Sequence, residues 1–237
     1  ILVKVAFRFT RCAVCIGVKF LTKELQFNNH VKHLLQARQI LERTSFVYAL
    51  THDSKQAELA ALAIDKILQF KKWDYFLEGG EQTIGLQRAP ETTIAMSCAR
   101  EWLDDVLSTK TKEEMERQIA AKGAPPCYLT LYGMKYPDRV RGWGFDPESD
   151  YKFRFDLSRW PYILNATNLK MIPIAGLAVA GCLLHGKHPE AERWVEMALQ
   201  SAKAFSVMFG TDGSYDEGVG YWGYTAQHLA LCLEVLR

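Results

Sequence analysis

Apolar residues recur at helical spacing from about residue 30 to the end of the chain. In the first of these segments, Leu34 and Leu41 belong to an apolar stripe that continues to about residue 50. Apolar positions three or four residues apart lie on one face of a helix, so the stripe predicts a helix. A second stripe reaches Phe70, and Asp53 or Ser54 stands just before it, where either side chain is suited to cap that helix.

The same pattern continues along the chain. Pro90 suits the first turn of a helix that runs on to Leu107. Thr111 followed by Glu114 has the spacing of a capping box and predicts the start of a short helix. A last helix is predicted from about Trp222. We expect the other helices to pair as antiparallel hairpins, 30–50 with 54–70, 89–108 with 112–122, and 169–184 with 189–209.

Two stretches interrupt the helical pattern. Residues 73–85 contain Gly79-Gly80 and are predicted to be a loop. Residues 123–162 carry prolines, glycines and ten aromatic residues, and they predict a long irregular segment. Strands are expected only at residues 3–9 or 151–155. An aromatic-rich irregular segment inside a helical domain usually carries function.

The pattern as a whole predicts an all-α fold. An array of helical hairpins buries its apolar stripes either as an open solenoid or as a closed (α/α) toroid. We expect an incomplete toroid over residues 30–237, preceded by a separate basic and apolar segment over residues 1–29. The chain opens without Met and stops inside a helical pattern, so we expect a fragment truncated at its C-terminus. A toroid has a cleft at the end where its loops gather.

Composition narrows the function classes. The net charge of +2 gives no reason to expect nucleic acid as the main partner. No run of about 18 apolar residues predicts a membrane span. The six cysteines are too widely spaced for a disulfide scaffold, and Cys12 and Cys15 form an isolated C-x-x-C, which is a weak signal for a metal or redox site. Cys98, Cys182 and Cys232 fall on apolar helical faces and are expected to be buried.

The most informative segment is 211–224. It holds four glycines, three acids and three tyrosines between two helical patterns. Exposed aromatic side chains and flexible glycines are both unfavourable for the stability of a simple linker. We therefore expect a shaped surface whose phenol groups face a ligand. Aromatic faces suit sugar rings, and the cations Lys152, Arg154 and Arg159 favour an anionic polymer over a neutral one.

Three motifs resemble the heparinase II/III-like polysaccharide lyases, with the alginate lyases and the dermatan sulfate epimerase as relatives. They are Asn165-Ala166-Thr167-Asn168 before a helix, Gly186-Lys187-His188-Pro189-Glu190-Ala191 before a helix, and the D-G-S-Y-x-E-G-x-x-Y-W-x-Y sequence that ends at Tyr224. The likeness covers roughly residues 35–237. It implies a toroid that is followed, in the family, by a C-terminal β-sandwich which this chain does not reach.

The resemblance implies a reaction. These lyases cut polymers of uronic acids by β-elimination: an Asn or His binds the uronate carboxylate, and a Tyr removes the C5 proton and returns a proton to the leaving oxygen. Fixed donors stabilise the charge that develops, and a phenol with an ordinary pKa near 10 needs help from its neighbours to act as a base. No metal or cofactor is implied. The resemblance also implies a secreted or periplasmic protein.

The same resemblance assigns residues. Asn165 and Tyr221 are separated by 56 positions (221 − 165), similar to the family spacing between the neutralising residue and the catalytic Tyr. We therefore expect Asn165 to neutralise the carboxylate and Tyr221 to act as base and acid. Asn168 and Tyr224, with the same separation, are the alternates. The expected substrate-binding residues are Asn168, Tyr224, Trp222, Arg159, Trp160, Glu217 and His228, the last of which is expected to orient a phenol.

Other interpretations stay open. Asn165 begins the sequon Asn165-Ala166-Thr167, which would make it a glycan acceptor in a eukaryotic secretory route. Asp212 and Glu217 are either an acid/base pair of a glycoside hydrolase or carboxylates that stabilise their turn. The chain as a whole is a lyase, a uronate C5-epimerase that reprotonates C5 from the other face, or a non-catalytic helical toroid that binds carbohydrate.

Overall fold

The computed structural model describes residues 30–149 and 155–237, and most of these residues are helical. The all-α prediction is therefore confirmed at the level of fold class. The predicted features at residues 1–29, at Cys12 and Cys15 and at residues 150–154 lie outside the described residues. The helices are α1 (His30–Thr51), α2 (Ser54–Leu68), α3 (Arg88–Trp102), α4 (Thr109–Gln118), α5 (Ala124–Lys135), α6 (Trp160–Ile163), α7 (Asn168–Leu183), α8 (Ala191–Phe205) and α9 (Val219–Leu236).

Helix α7 lies at the centre of the described fold. It packs against α3, α5, α8 and α9, and most of its residues are buried. An almost uniformly apolar helix has no polar face to turn to water, so it is covered on all sides. The hairpins α1–α2 and α7–α8 form as predicted. The third hairpin is different, because α3 packs mainly on α1 and α7 and only slightly on α4.

Two predicted caps can be compared with the structure. The Asp53 carboxylate accepts a hydrogen bond of 3.0 Å from the Lys55 amide, so it caps α2 as expected. The Thr111 prediction is wrong, since the cap of α4 is Ser108, three residues earlier. The Ser108 hydroxyl accepts from the Thr111 amide at 3.1 Å. Ser108 and Thr111 can both cap a helix, and the prediction selected Thr111 only because of its spacing from Glu114.

A small antiparallel sheet occupies the region that was predicted to be a loop. Strands β1 (Phe76–Glu78), β2 (Gln82–Ile84) and β3 (Trp143–Phe145) are ordered β2-β1-β3. Each strand has three residues, which is too short to show a period of two in the sequence. Gly79 and Gly80 form the β1–β2 turn at φ of +60° and +74°, a region that favours glycine.

The long segment 123–162 is only partly irregular. Residues Ala124–Lys135 form α5, which corrects the prediction. Pro125 and Pro126 lie in the first turn of this helix, where a missing N–H is tolerated. A π-helical turn, Ile119–Gly123, joins α4 to α5, and a Cβ at Gly123 would lie 2.3 Å from the Thr93 hydroxyl. Pro125 and Pro126, which suggested an interruption of the helical pattern, therefore mark the start of a helix.

The predicted burial of three cysteines is confirmed for Cys232, whereas Cys98 and Cys182 are half-buried. None of the helices described is by itself long and apolar enough to cross a membrane. Trp160–Ala166 and α7 reach that length and composition only when they are joined, and they are bent by 84° at their junction.

Candidate functional site

One cavity of about 570 Å³ brings together residues that are far apart in the chain. Helix α3 lies on one side, the N-terminus of α7 on a second, and the tyrosine- and glycine-rich turn with the start of α9 on a third. Four predicted site residues, Asn168, Glu217, Tyr221 and Tyr224, line this cavity. The remaining lining residues are Gln87, Glu91, Gly218, Val219 and Gly220.

The tyrosine- and glycine-rich turn is held by its own hydrogen bonds. The Asp212 carboxylate accepts from the Ser214 amide at 3.0 Å, and this bond lowers the pKa of Asp212. The Trp222 indole donates to the Gly213 carbonyl at 2.9 Å, which ties α9 back to the turn. Gly213 and Gly218 have φ of +81° and +86°. Asp212 thus stabilises the turn and does not line the cavity, as a member of an acid/base pair would.

Glu217 fastens the turn to α7. One of its carboxylate oxygens accepts from the Asn168 backbone amide at 2.5 Å and also from the Tyr215 hydroxyl. Burial, and then the bond to Glu217, raises the pKa of Tyr215 well above its ordinary value. The carboxylate lies at the N-terminus of a 16-residue helix, where free amides and the helix dipole favour a negative charge. Glu217 therefore holds two walls of the cavity together.

Tyr224 is held from the opposite wall. Its hydroxyl donates to a Glu91 carboxylate oxygen at 2.8 Å. The other oxygen of Glu91 lies 2.9 Å from Arg88 and 3.4 Å from Arg38, and Arg38 also pairs with Glu42 at 2.5 Å. Burial, followed by the charge of Glu91 and the hydrogen bond to it, raises the pKa of Tyr224 far above 10. Tyr224 is consequently a neutral phenol whose proton is directed to Glu91.

His228 supports Tyr224 one helical turn further along α9. Its Nδ1 lies 2.7 Å from the Tyr224 carbonyl, and its ring meets the Tyr224 ring edge to face at a centroid distance of 4.5 Å. Because a carbonyl only accepts, Nδ1 carries the proton in this arrangement. Burial lowers the pKa of His228. The imidazole thus contacts the ring and backbone of Tyr224 rather than the hydroxyl.

Tyr221 differs from Tyr224 in having a free hydroxyl. Its side chain is 56% exposed, and the hydroxyl makes no hydrogen bond to the described residues. It lines the cavity from the first turn of α9. Of the two phenols in the cavity, Tyr221 is therefore the one whose oxygen is open to a ligand.

Besides His228, four predicted site residues lie outside the cavity lining. Trp222 is exposed and bonded to the turn, and Arg159 is exposed beside α6. Trp160 packs 5.7 Å from the Phe76 ring against the small sheet. Asn165 is exposed, so its position is compatible both with a ligand contact and with a glycan.

The sequence interpretation missed several charged residues around the cavity. Glu91, Arg38 and Arg88 come from segments that were assigned only as helices. Lys170, whose ammonium donates to the Asn165 side-chain oxygen at 2.6 Å, was also missed. A charged residue inside an otherwise apolar helical stripe is the signal that could have identified Glu91 and Lys170.

No group of three or more His, Cys, Asp and Glu side chains within residues 30–149 and 155–237 is arranged to hold a metal ion. A comparison with models of known protein families gave no match, and a search of curated proteins found none of similar sequence.

Proposed function

We propose that this chain is the helical, toroid-type domain of a polysaccharide lyase that cleaves a uronic-acid-containing polymer by β-elimination. The observation that carries the proposal is the shared cavity, in which Asn168, Glu217, Tyr221 and Tyr224 meet although α7 and α9 are separate segments. A concave site with a few convergent polar groups is the usual form of a ligand site. The motif resemblance supplies the reaction class.

Tyr221 is the proposed base and acid. Its exposed oxygen makes no hydrogen bond to the described residues, and in the deprotonated, phenolate form it takes the C5 proton. The electron pair of the C5–H bond then forms the C4–C5 double bond, the C4–O bond breaks, and the leaving oxygen receives the proton from Tyr221. Tyr224 is less suited to this role because its proton is directed to Glu91, so it is proposed to bind and orient the sugar.

Asn168 is the better placed of the two asparagines to meet the reacting uronate. It lines the cavity, whereas Asn165 does not. An amide that donates to the carboxylate stabilises the negative charge that develops as the C5 proton leaves. The geometry therefore favours the alternate, Asn168, in the neutralising role that the spacing gave to Asn165, and it keeps Tyr221 as the base.

The second candidate is a uronate C5-epimerase. The specific observation that favours it is the presence of two phenols, Tyr221 and Tyr224, on one cavity. Epimerisation needs a base on one face of the sugar and a proton donor on the other, and it leaves the C4–O bond intact. The same cavity in a non-catalytic carbohydrate-binding domain would bind a polymer without changing it.

The test is ultraviolet detection of the unsaturated uronate after incubation with alginate, heparan sulfate, chondroitin sulfate or hyaluronan. We expect absorbance to rise with one polymer and Tyr221→Phe to lower the rate at least about 100-fold, a usual contribution of a general acid or base. Tyr162→Phe is the matched control, because Tyr162 is 54% exposed and lies outside the cavity lining.

The other outcomes separate the candidates. Exchange of the C5 proton in heavy water without unsaturated product identifies the epimerase. Binding of a polymer with neither product nor exchange identifies a binding domain. A rate that Tyr221→Phe leaves unchanged would show that the phenol is not the base.

A further inference from the structure

Lys170 is a buried cation that pairs with no carboxylate in the described part of the chain. It lies in the first turn of α7 and is only 8% exposed. Its ammonium donates to the Asn165 side-chain oxygen at 2.6 Å, and no carboxylate among the described residues forms an ion pair with it. Burial alone accounts for the lowered pKa of Lys170. Buried lysines are normally paired, so this one is an exception that needs a reason.

The position of Lys170 in the helix makes its positive charge more unfavourable still. The N-terminus of a helix carries a partial positive charge, so a lysine in the first turn is unfavourable there. Glu217, the carboxylate that reaches this end of α7, accepts from the Asn168 amide and the Tyr215 hydroxyl and forms no ion pair with Lys170. The Lys170 ammonium is therefore without a direct carboxylate contact among the described residues, and an anionic ligand beside it would supply one.

The hydrogen bond also fixes which way the Asn165 amide faces. An ammonium group can only donate, so the atom that faces Lys170 must be the amide oxygen. The amide NH₂ is therefore directed away from Lys170. Because Asn165 is exposed, these two N–H donors are available to a ligand at the surface. The pair presents a donor group next to a positive charge, which suits a carboxylate.

We propose that Lys170 and Asn165 form a subsite for the carboxylate of the next uronate along the polymer from the one in the cavity. Asn168, which lines the cavity, lies between them in the chain, three residues after Asn165 and two before Lys170. Acidic polysaccharides carry a carboxylate on every sugar or on every second sugar. A uronate bound in the cavity therefore has another uronate one or two sugars away, which a second carboxylate subsite would bind. This inference rests on the proposed function for the identity of the ligand.

The test compares oligosaccharides of alginate, heparan sulfate, chondroitin sulfate and hyaluronan with their carboxyl methyl esters, by calorimetric titration. Esterification removes the carboxylate charge and keeps the sugar. We expect Lys170→Met to weaken binding of the acid form at least about 10-fold, the loss expected for a charged hydrogen bond, and to leave ester binding unchanged. Lys203→Met, at an exposed position of α8, is the matched control.

A second variant distinguishes a loss of binding from a loss of folding. Asn165→Asp places a carboxylate beside Lys170 and removes the amide donors, so we expect the same loss of acid binding with a fold at least as stable as the original. Lys170→Met should likewise be no less stable, because it removes an uncompensated buried charge. A purely structural lysine would give the opposite result, a destabilised protein that loses acid and ester binding alike.

The outcomes for the two proposals are distinguishable. If the unaltered protein cleaves or binds a polymer and Lys170→Met does so equally well, this inference is wrong and the proposed function stands. If the unaltered protein binds none of the four oligosaccharides, both are wrong.

Discussion

Two charged clusters include or adjoin in sequence a residue of the cavity lining, Glu91 in one and Asn168 beside the other, and they are built in opposite ways. In the cluster between α1 and α3, Arg38 and Arg88 face Glu91 and Glu42, so that two cations meet two carboxylates. In the cluster at the N-terminus of α7, Lys170 has the Asn165 amide oxygen as its partner and no carboxylate among the residues that the structure describes. The first cluster balances its own charges, although the Nε atoms of Arg38 and Arg88 have no hydrogen-bond partner among the described residues. The second cluster holds a buried cation that no carboxylate of the described residues contacts.

This difference assigns different roles to the two sides. A buried ion-pair cluster fixes geometry, and here it fixes Tyr224 through Glu91. A buried cation without a counter-ion lowers the stability of the fold, and such a feature is typical of a functional site. The stability of the fold should therefore fall when any charged side chain of the Glu91 cluster is removed. It should not fall when the charge of Lys170 is removed.

The largest effect is expected from Glu91→Ala. Removal of the carboxylate leaves two buried guanidinium groups without their shared partner, and breaking a buried ion pair in this way costs about 3 to 5 kcal/mol of the free energy of unfolding. Denaturant unfolding measures it. Glu101→Ala is the control on the same helix, because the Glu101 side chain is 62% exposed and its pair with Arg100 contributes little. A loss for Glu91→Ala as small as that of the control would contradict the comparison.

A smaller effect is expected from Glu217→Gln. The amide can still accept one hydrogen bond, but it loses the negative charge at the N-terminus of α7, and we expect a loss of about 1 to 2 kcal/mol in the free energy of unfolding. The looser turn should also weaken polymer binding. Asp216→Asn, at the exposed neighbouring position, is the control and should change neither quantity. Equal unfolding curves for the two variants would show that Glu217 does not hold the turn.

The smallest effects are opposite pH dependences of stability. Tyr224 keeps its proton in the fold above pH 10, where an unfolded tyrosine loses it, so the folded state binds more protons and stability falls as pH rises. Lys170 has a lowered pKa, so between that value and 10.5 the unfolded state binds more protons and stability rises with pH.

Unfolding measured over a series of alkaline pH values separates these two contributions. Tyr224→Phe should weaken the decline above pH 10, and Lys170→Met should remove a rise at lower pH. Identical pH profiles for the two variants would mean that neither group titrates as its surroundings imply.

Part of this site was accessible from the sequence. The tyrosine- and glycine-rich turn and the asparagines before α7 were predicted to gather, and Asn168, Glu217, Tyr221 and Tyr224 do share a cavity. Glycines and aromatics are concentrated there because a tight turn needs positive φ and a ligand surface needs rings. The partner of Glu91 could not be predicted, because a charge in an apolar stripe marks the residue but nothing local indicates that it meets a tyrosine 133 positions later.

The sequence by itself determined the helices and their type, because an apolar stripe at helical spacing has to be buried and a cap or a proline marks where a helix begins. It did not determine the three-residue strands or the helix whose first turn holds Pro125 and Pro126, where the local signals are too short or ambiguous. Only the tertiary structure decided which charges meet. It paired Glu91 with two arginines and left Lys170 with an amide, because partners across a fold depend on packing and not on distance along the chain.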